Sequence, residues 1–251
     1  MTESIVIAAG GNPTAIAFTD ASHDRAWFEE QGRDLMRRTE PLGVEQAGFL
    51  NLQTRHFEMS GGEFCGNAAR SAAMLIAKMT GESEFDFTMS GYEGPVRASV
   101  ALSGDTAFVT CVFPNLQTAV RLVSLPGGGD GKLVDLGGIV HVIVEEPFVN
   151  DRAIYEPRHR EITKALGLAE RAAVGVCWLE SDGSDIRLHP VVWVRGIDSF
   201  FYETACGSGS IAAGAATGKT EIIQPSGQSI RVEIDAVGVH LSSAMEIRHA
   251  E

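Results

Sequence analysis

"GGEFCGNAARSAAMLIA" (residues 61–77) begins as a turn, passes through a thiol and an amide, and continues as an alanine-rich apolar helix. A helix of that composition belongs inside a fold, because small side chains let neighbouring strands approach its axis. A second stretch, "FYETACGSGSIAAG" (201–214), repeats the pattern: an aromatic and a Glu, then Cys-Gly, a small polar residue and a small-residue helix. Its cysteine, Cys206, stands 141 positions after Cys65, a little over half the chain.

Both stretches are embedded in short runs with strand character. Among them are "TAIAFT" (14–19), "EFDFTMS" (84–90), "TAFVTCVF" (106–113), "GIVHVIVEE" (138–146), "AAVGVCWLE" (172–180) and "SIRVEI" (229–234). Gly, Pro, Asn, Asp and Ser separate them, as strand boundaries require. Periodicity predicts an outer helix over 23–39, with Trp27, Leu35 and Met36 on one side, and a polar helix over 157–167. The recurrence of strands, Cys-Gly helix and strands reads as an internal duplication. The expected fold is α/β (α+β), with two pseudo-symmetric lobes, each a curled sheet or barrel around a central helix. The lobes are expected at 1–114 and 115–237, linked near 112–120. The last strand, about 238–251, is expected to return to the first lobe, and the active site to occupy the cleft between them.

The whole chain sets outer limits. With 251 residues, 44% of them hydrophobic, it can bury one large core or two modest ones. A formal net charge of −13 argues against nucleic acid and against an anionic membrane surface as partners. The N-terminus, "MTESIVIAAGGNPTAIAF", lacks the basic start and long apolar stretch of a secretory signal, and no apolar run approaches a membrane span. Cys65, Cys111, Cys177 and Cys206 form no C-x-x-C pair and no zinc-like grouping with histidine. Free thiols and a cytoplasmic location are expected.

A helix N-terminus offers unpaired amide N–H groups and partial positive charge, which suits a carboxylate and favours thiolate over thiol. Gly66 and Gly207 leave those amides open to a ligand. Two such mouths facing one another suit inversion at a carbon, which needs a base on one face and an acid on the other. Cys111 and Cys177 lie in apolar strand-like runs and read as buried small hydrophobes.

At these residues the sequence resembles the diaminopimelate epimerase superfamily of cofactor-independent amino-acid racemases and epimerases. "FCGNAAR" resembles the family's first catalytic-cysteine motif and "ACGSGS" its second; the similarity extends through "GGNPTAIAF", "EQAGFL", "VDLGGIVHVIV" and "QPSGQSIRV". The resemblance implies Cys65 and Cys206 as the two catalytic bases, substrate contacts at Asn12, Gln46, Gly66 and Gly207, no metal, no pyridoxal phosphate, and a homodimer. Ser208 suits an N-terminal helix position that donates to an anion, and Asn67 either donates to the substrate carboxylate or caps its helix. Arg70, one turn into the helix, reads as pairing with an acidic neighbour, and His141 as structural.

The departures sharpen the assignment. Where diaminopimelate epimerases carry Glu-Arg before the second cysteine, this chain has Ile197 and Asp198, so a distal carboxylate loses its arginine partner. "GGEFCGNA", "VEQAGF" and "QPSGQS" are instead similar to histidine racemases of opine-metallophore biosynthesis. That branch implies a contact from Glu45 to the substrate ammonium or imidazole, and from Glu203 to substrate or to its own turn. Diaminopimelate epimerase, a proline-racemase-type enzyme, a thiol redox sensor pairing Cys65 with Cys206, and a non-catalytic amino-acid binding module stay open beside it.

Overall fold

The computed structural model describes residues 3–182 and 185–248. Eight strands close a barrel: β1 (Glu3–Ala8), β2 (Gly11–Phe18), β3 (Gln46–Asn51), β4 (His56–Met59), β5 (Glu84–Met89), β6 (Val96–Ser103), β7 (Thr106–Phe113) and β16 (Val239–Arg248). Closure comes from β16, which pairs antiparallel with both β7 and β1. Residues 249–251 lie outside the described residues. The remaining strands continue from β16 as a second curled sheet. They are β8 (Val120–Ser124), β9 (Asp130–Asp135), β10 (Val140–Val144), β11 (Ala173–Asp182), β12 (Asp185–Val194), β13 (Ser199–Tyr202), β14 (Glu221–Ile223) and β15 (Ser229–Ile234).

The order of pairings repeats between the halves. β2 runs parallel to β3 and β4 to β5, each pair joined through a helix, α1 (Arg25–Thr39) and α2 (Gly66–Thr80). In the second half β10 runs parallel to β11 and β12 to β14, across α3 (Arg152–Ala165) and α4 (Gly207–Thr217). Parallel neighbours require such crossovers, so the two central helices are dictated by the strand order.

Composition explains which helix goes inside. In α2 every residue from Gly66 to Ala77 is buried, and Ala68, Ala69, Ala72 and Ala73 have no exposed surface. The strands around it alternate, as in β5, where Phe85, Phe87 and Met89 face the helix side and their neighbours face out. Helix α4 is built the same way from Gly, Ser, Ile and Ala, and is buried from Gly207 to Gly214. Both helices stop at a glycine in the left-handed region, Gly81 (φ +78°) and Gly218 (φ +74°), whose N–H returns to the last turn.

The other two helices lie outside. Helix α1, capped by Asp24, packs Phe28 and Leu35 on Ala15, Ala47 and Phe49. Helix α3 places Ile162 against the outer side of β10 and β11, so β10 is buried along its whole length between α3 and α4. The expected start of this helix at 157 is five residues late: Asp151 caps it, and Pro157 lies inside. The carbonyl orphaned by Pro157 belongs to Ala153, which is exposed, so it is not buried without a partner.

The two central helices point their N-termini at each other. A methyl placed on Gly207 would lie 2.9 Å from the backbone N of Asn67 and the carbonyl carbon of Gly66; one on Gly66 would lie 3.2 Å from the carbonyl carbon of Gly207. Glycine is required by that approach of backbone to backbone. Gly207→Ala is expected to force the two helix starts apart at a cost of about 1–3 kcal/mol, a fall of about 3–10 °C in Tm by differential scanning fluorimetry. A Tm equal to that of the unaltered protein would contradict the contact.

Candidate active site

Cys65 and Cys206 are the N-cap residues of α2 and α4, with nearly equal backbone angles (φ −134°, ψ 110° and φ −138°, ψ 106°). Each sulfur accepts from the third amide of its helix, Ala68 N at 3.4 Å and Gly209 N at 3.3 Å. The first intrahelical bonds are donated by Ala69 and Ser210. The amides of Gly66, Asn67, Gly207 and Ser208 therefore precede the helical ladder, two at each mouth, in the position from which helices bind anions.

Burial reverses the thiol chemistry that the helix mouths alone predict. The Cys65 thiol is pushed up to about 12, first by burial and then by the Glu203 charge, with the helix amides pulling the other way. Cys206 is raised well above the ordinary thiol value for the same reasons, with the Glu203 carboxyl beside it. Both sulfurs are thus thiols at neutral pH in this closed arrangement. Offsetting the charge of ionised Glu203 removes the second of these causes and leaves burial, the first.

The supporting side chains form two sets. Cys65 donates to Gln46 Oε1 at 3.2 Å, and Gln46 Nε2 donates to Thr14 Oγ1 at 2.7 Å. Ser208 Oγ lies 3.7 Å from Cys206 Sγ and 2.9 Å from His141 Nε2; His141 Nδ1 lies 3.4 Å from Cys177 Sγ. Burial lowers His141 to about 3, so its ring is neutral. Gln224, fully buried, accepts from Cys206 N at 2.8 Å and donates to Ser210 Oγ and Ile222 O.

Two expectations need correction. The Asn67 side chain neither caps α2 nor points a free amide at the cleft: Nδ2 donates to Ala205 O at 2.8 Å, across to the other helix mouth, and Oδ1 accepts from Arg70. Arg70 has no carboxylate partner among the described residues. It is wholly buried, donates to Gly66 O, Asn67 Oδ1 and Ser243 Oγ, and is lowered by burial to about 10. Its charge faces Cys65, Cys111 and Cys206, so it favours the thiolate form of each.

Three glutamates reach the cleft, Glu45, Glu63 and Glu203. Glu45 accepts from Thr204 Oγ1 at 2.7 Å and Thr204 N at 3.4 Å, and burial lifts it to about 7. Glu203, raised to about 8 mainly by burial, faces Asn12, whose backbone N–H donates to Thr204 Oγ1 at 2.7 Å. The Asn12 carboxamide is fully buried and held in the left-handed region (φ 47°); it approaches Glu203 without closing a hydrogen bond of standard geometry. Apolar walls come from Ile139, Val192, Val194, Ile197 and Phe201. The void among these groups measures about 20 Å³, the size of one water molecule, so an amino acid enters only if the walls part. Sequence reasoning missed Glu63, Thr204 and Gln224; the only signal for the first two was their place beside the cysteine motifs.

The family profile described as "Histidine racemase CntK N-terminal domain" matches residues 12–248. Histidine racemases from two strains of Fusobacterium nucleatum subsp. nucleatum, ATCC 23726 and ATCC 25586, are each 28% identical over 236 residues, covering 89% of this chain and 86% and 85% of theirs. Among solved structures, a predicted epimerase from Pseudomonas aeruginosa superposes with a TM-score of 0.62 at 15% identity, covering 98% of this chain and 96% of that one. A phenazine biosynthesis protein PhzF family member from Enterococcus faecalis superposes at 0.54 and 15% identity, covering 99% and 100%. The fold is that of the PhzF and epimerase proteins, and the chain is an isomerase of the racemase/epimerase class. It belongs to the CntK-type histidine racemase family.

The raised carboxyls carry a pH signature. A carboxyl whose folded pKa is raised stabilises the fold below its ordinary value, about 4.5, and loses that contribution as pH climbs through about 8 for Glu203. Glu203→Gln is therefore expected to gain Tm relative to the unaltered protein as pH rises from 5 to 9. A Tm difference that stays constant over that range would contradict the raised pKa.

Proposed function

We propose that the enzyme inverts the α-carbon of histidine, with Cys65 and Cys206 acting as the two bases. The observation that carries this reading is the pair of cysteine-capped helix mouths meeting at Gly66 and Gly207, with both cysteines buried beside that contact. The substrate α-carboxylate sits on the amides of Gly66, Asn67, Gly207 and Ser208. Its ammonium pairs with Glu203, which offsets the second effect that holds both thiols up, while the parting of the walls that admits the substrate lessens the first, burial.

One sulfur, as thiolate, takes the Cα proton, and the electron pair moves into the carboxylate, where the helix amides and the Arg70 charge stabilise it. The opposing thiol delivers its own proton to the other face. The roles of the two sulfurs are then exchanged, and proton transfer through Glu203 and solvent restores them.

The cleft also supports the substrate class. It presents three carboxyls and apolar walls and no Arg or Lys side chain, so a side chain with an N–H or positive charge fits where a distal carboxylate is repelled. Diaminopimelate is thereby disfavoured, in keeping with Ile197 and Asp198. The names of the Fusobacterium relatives support histidine. The proposal extends to a cytoplasmic homodimer supplying D-histidine to an opine metallophore, which the sequence resemblance supports.

Incubation of L-histidine with the enzyme is expected to give D-histidine by chiral chromatography, and Cys65→Ser and Cys206→Ser are each expected to lower the rate at least about 100-fold. Absence of turnover with every proteinogenic amino acid under reducing conditions would overturn the racemase chemistry. Turnover of another amino acid, with histidine inert, would overturn the substrate alone.

A further inference from the structure

Of the three cleft carboxyls, two are accounted for by their surroundings. Glu45 is fixed by two hydrogen bonds from Thr204, and Glu203 lies beside the Cys206 thiol and the Asn12 carboxamide. Glu63 is different. It occupies the turn between β4 and α2, two residues before Cys65, is 5% exposed, and its Oε2 has no hydrogen-bond partner.

The neighbouring cation does not supply one. Arg25 donates to Glu58 and to the carbonyl oxygens of Met59 and Ser60, and no ion pair joins it to Glu63 among the described residues. Only the backbone N–H groups of Gly61 and Glu63 touch the carboxyl. A buried oxygen left without a donor is costly, and such a group is retained where a ligand supplies the missing hydrogen bond.

Glycine at 61 lets the carboxyl and β12 pack closely against this turn: a methyl there would lie 2.5 Å from Val194 Cγ1 and 2.6 Å from Glu63 Oε2. Val194, Ile197 and Phe201 line the same cleft. A flat, partly apolar ring carrying an N–H suits such a lining, one unpartnered acceptor among apolar side chains, once the walls part to admit it.

We infer that Glu63 is the specificity-determining residue for the substrate side chain, its free Oε2 accepting a ring N–H of an imidazole lodged among Val194, Ile197 and Phe201. This deepens the histidine reading and rests on it. Burial lifts the Glu63 carboxyl to about 7, close to the ordinary imidazole value of about 6.5. The two groups therefore share one proton across neutral pH, and either arrangement of it keeps a hydrogen bond. Arg25, Glu58, Cys65 and Glu203 are the other titratable groups that face this carboxyl. A site built to bond an N–H rejects side chains that lack one far more strongly than an apolar pocket distinguishes shapes.

Steady-state kinetics with L-histidine and L-leucine, for the unaltered enzyme, Glu63→Gln and Glu63→Leu, test the assignment. Glu63→Gln is expected to raise the KM for histidine at least about tenfold, with the loss falling in KM rather than in kcat; Glu63→Leu is expected to shrink the preference for histidine over leucine at least about 100-fold. A Glu63→Gln enzyme with the original Tm, KM and preference would overturn the inference, whether or not Glu63→Leu folds. If the unaltered enzyme inverts histidine while Glu63→Gln is indistinguishable from it, only the role of Glu63 fails. An unaltered enzyme that inverts leucine and not histidine overturns both readings.

Discussion

The contact between two helix N-termini, at Gly66 and Gly207, is the constraint on which the rest of the structure depends. Backbone meets backbone there with no side chain between, so neither glycine tolerates a Cβ without displacement. Everything near the cleft follows from that approach. The cysteine before each glycine becomes an N-cap, and two amides at each helix start precede the helical ladder. Asn67 reinforces the contact by bonding from one mouth to the carbonyl of Ala205 at the other, and Arg70 holds Asn67 in place. The central helices are built of Ala, Gly and Ser because each must pass through a closed or nearly closed sheet to bring its N-terminus to this point.

Electrostatics at the cleft is a balance of opposed effects. Helix amides and the Arg70 charge favour thiolate; burial favours thiol and dominates, with Glu203 adding to it at both sulfurs and Glu63 at Cys65. In the proposed reading, the substrate ammonium beside Glu203 offsets one of these effects while its carboxylate takes the amides at the helix starts, so a single ligand would couple binding to activation of the sulfur.

Much of this was legible in the sequence, for an identifiable reason. The two Cys-Gly motifs and their small-residue helices are local patterns, and their repetition carried the duplication, the helix starts and the placement of Cys65 and Cys206. What stayed hidden was set by contacts distant in sequence. Asn67 was misread because its partner Ala205 lies 138 positions away. Thr204 holds Glu45 across 159 positions, and nothing in "YETAC" announces it. The start of α3 lies five residues before the expected one: Asp151 supplies the cap, and an exposed carbonyl tolerates Pro157 inside the helix. The local helix-mouth argument for thiolates also failed, since burial is a property of the assembled fold.

The account's central claim is that two different groups handle the α-proton on opposite faces. The isotopic pattern in the first few per cent of conversion of L-histidine in deuterium oxide tests it most directly, by NMR and mass spectrometry of the separated enantiomers. Two bases predict D-histidine fully deuterated at Cα while the remaining L-histidine keeps its protium. Deuterium entering the recovered L-histidine as fast as D-histidine forms, or protium carried over into the product, would show a single base and contradict the account.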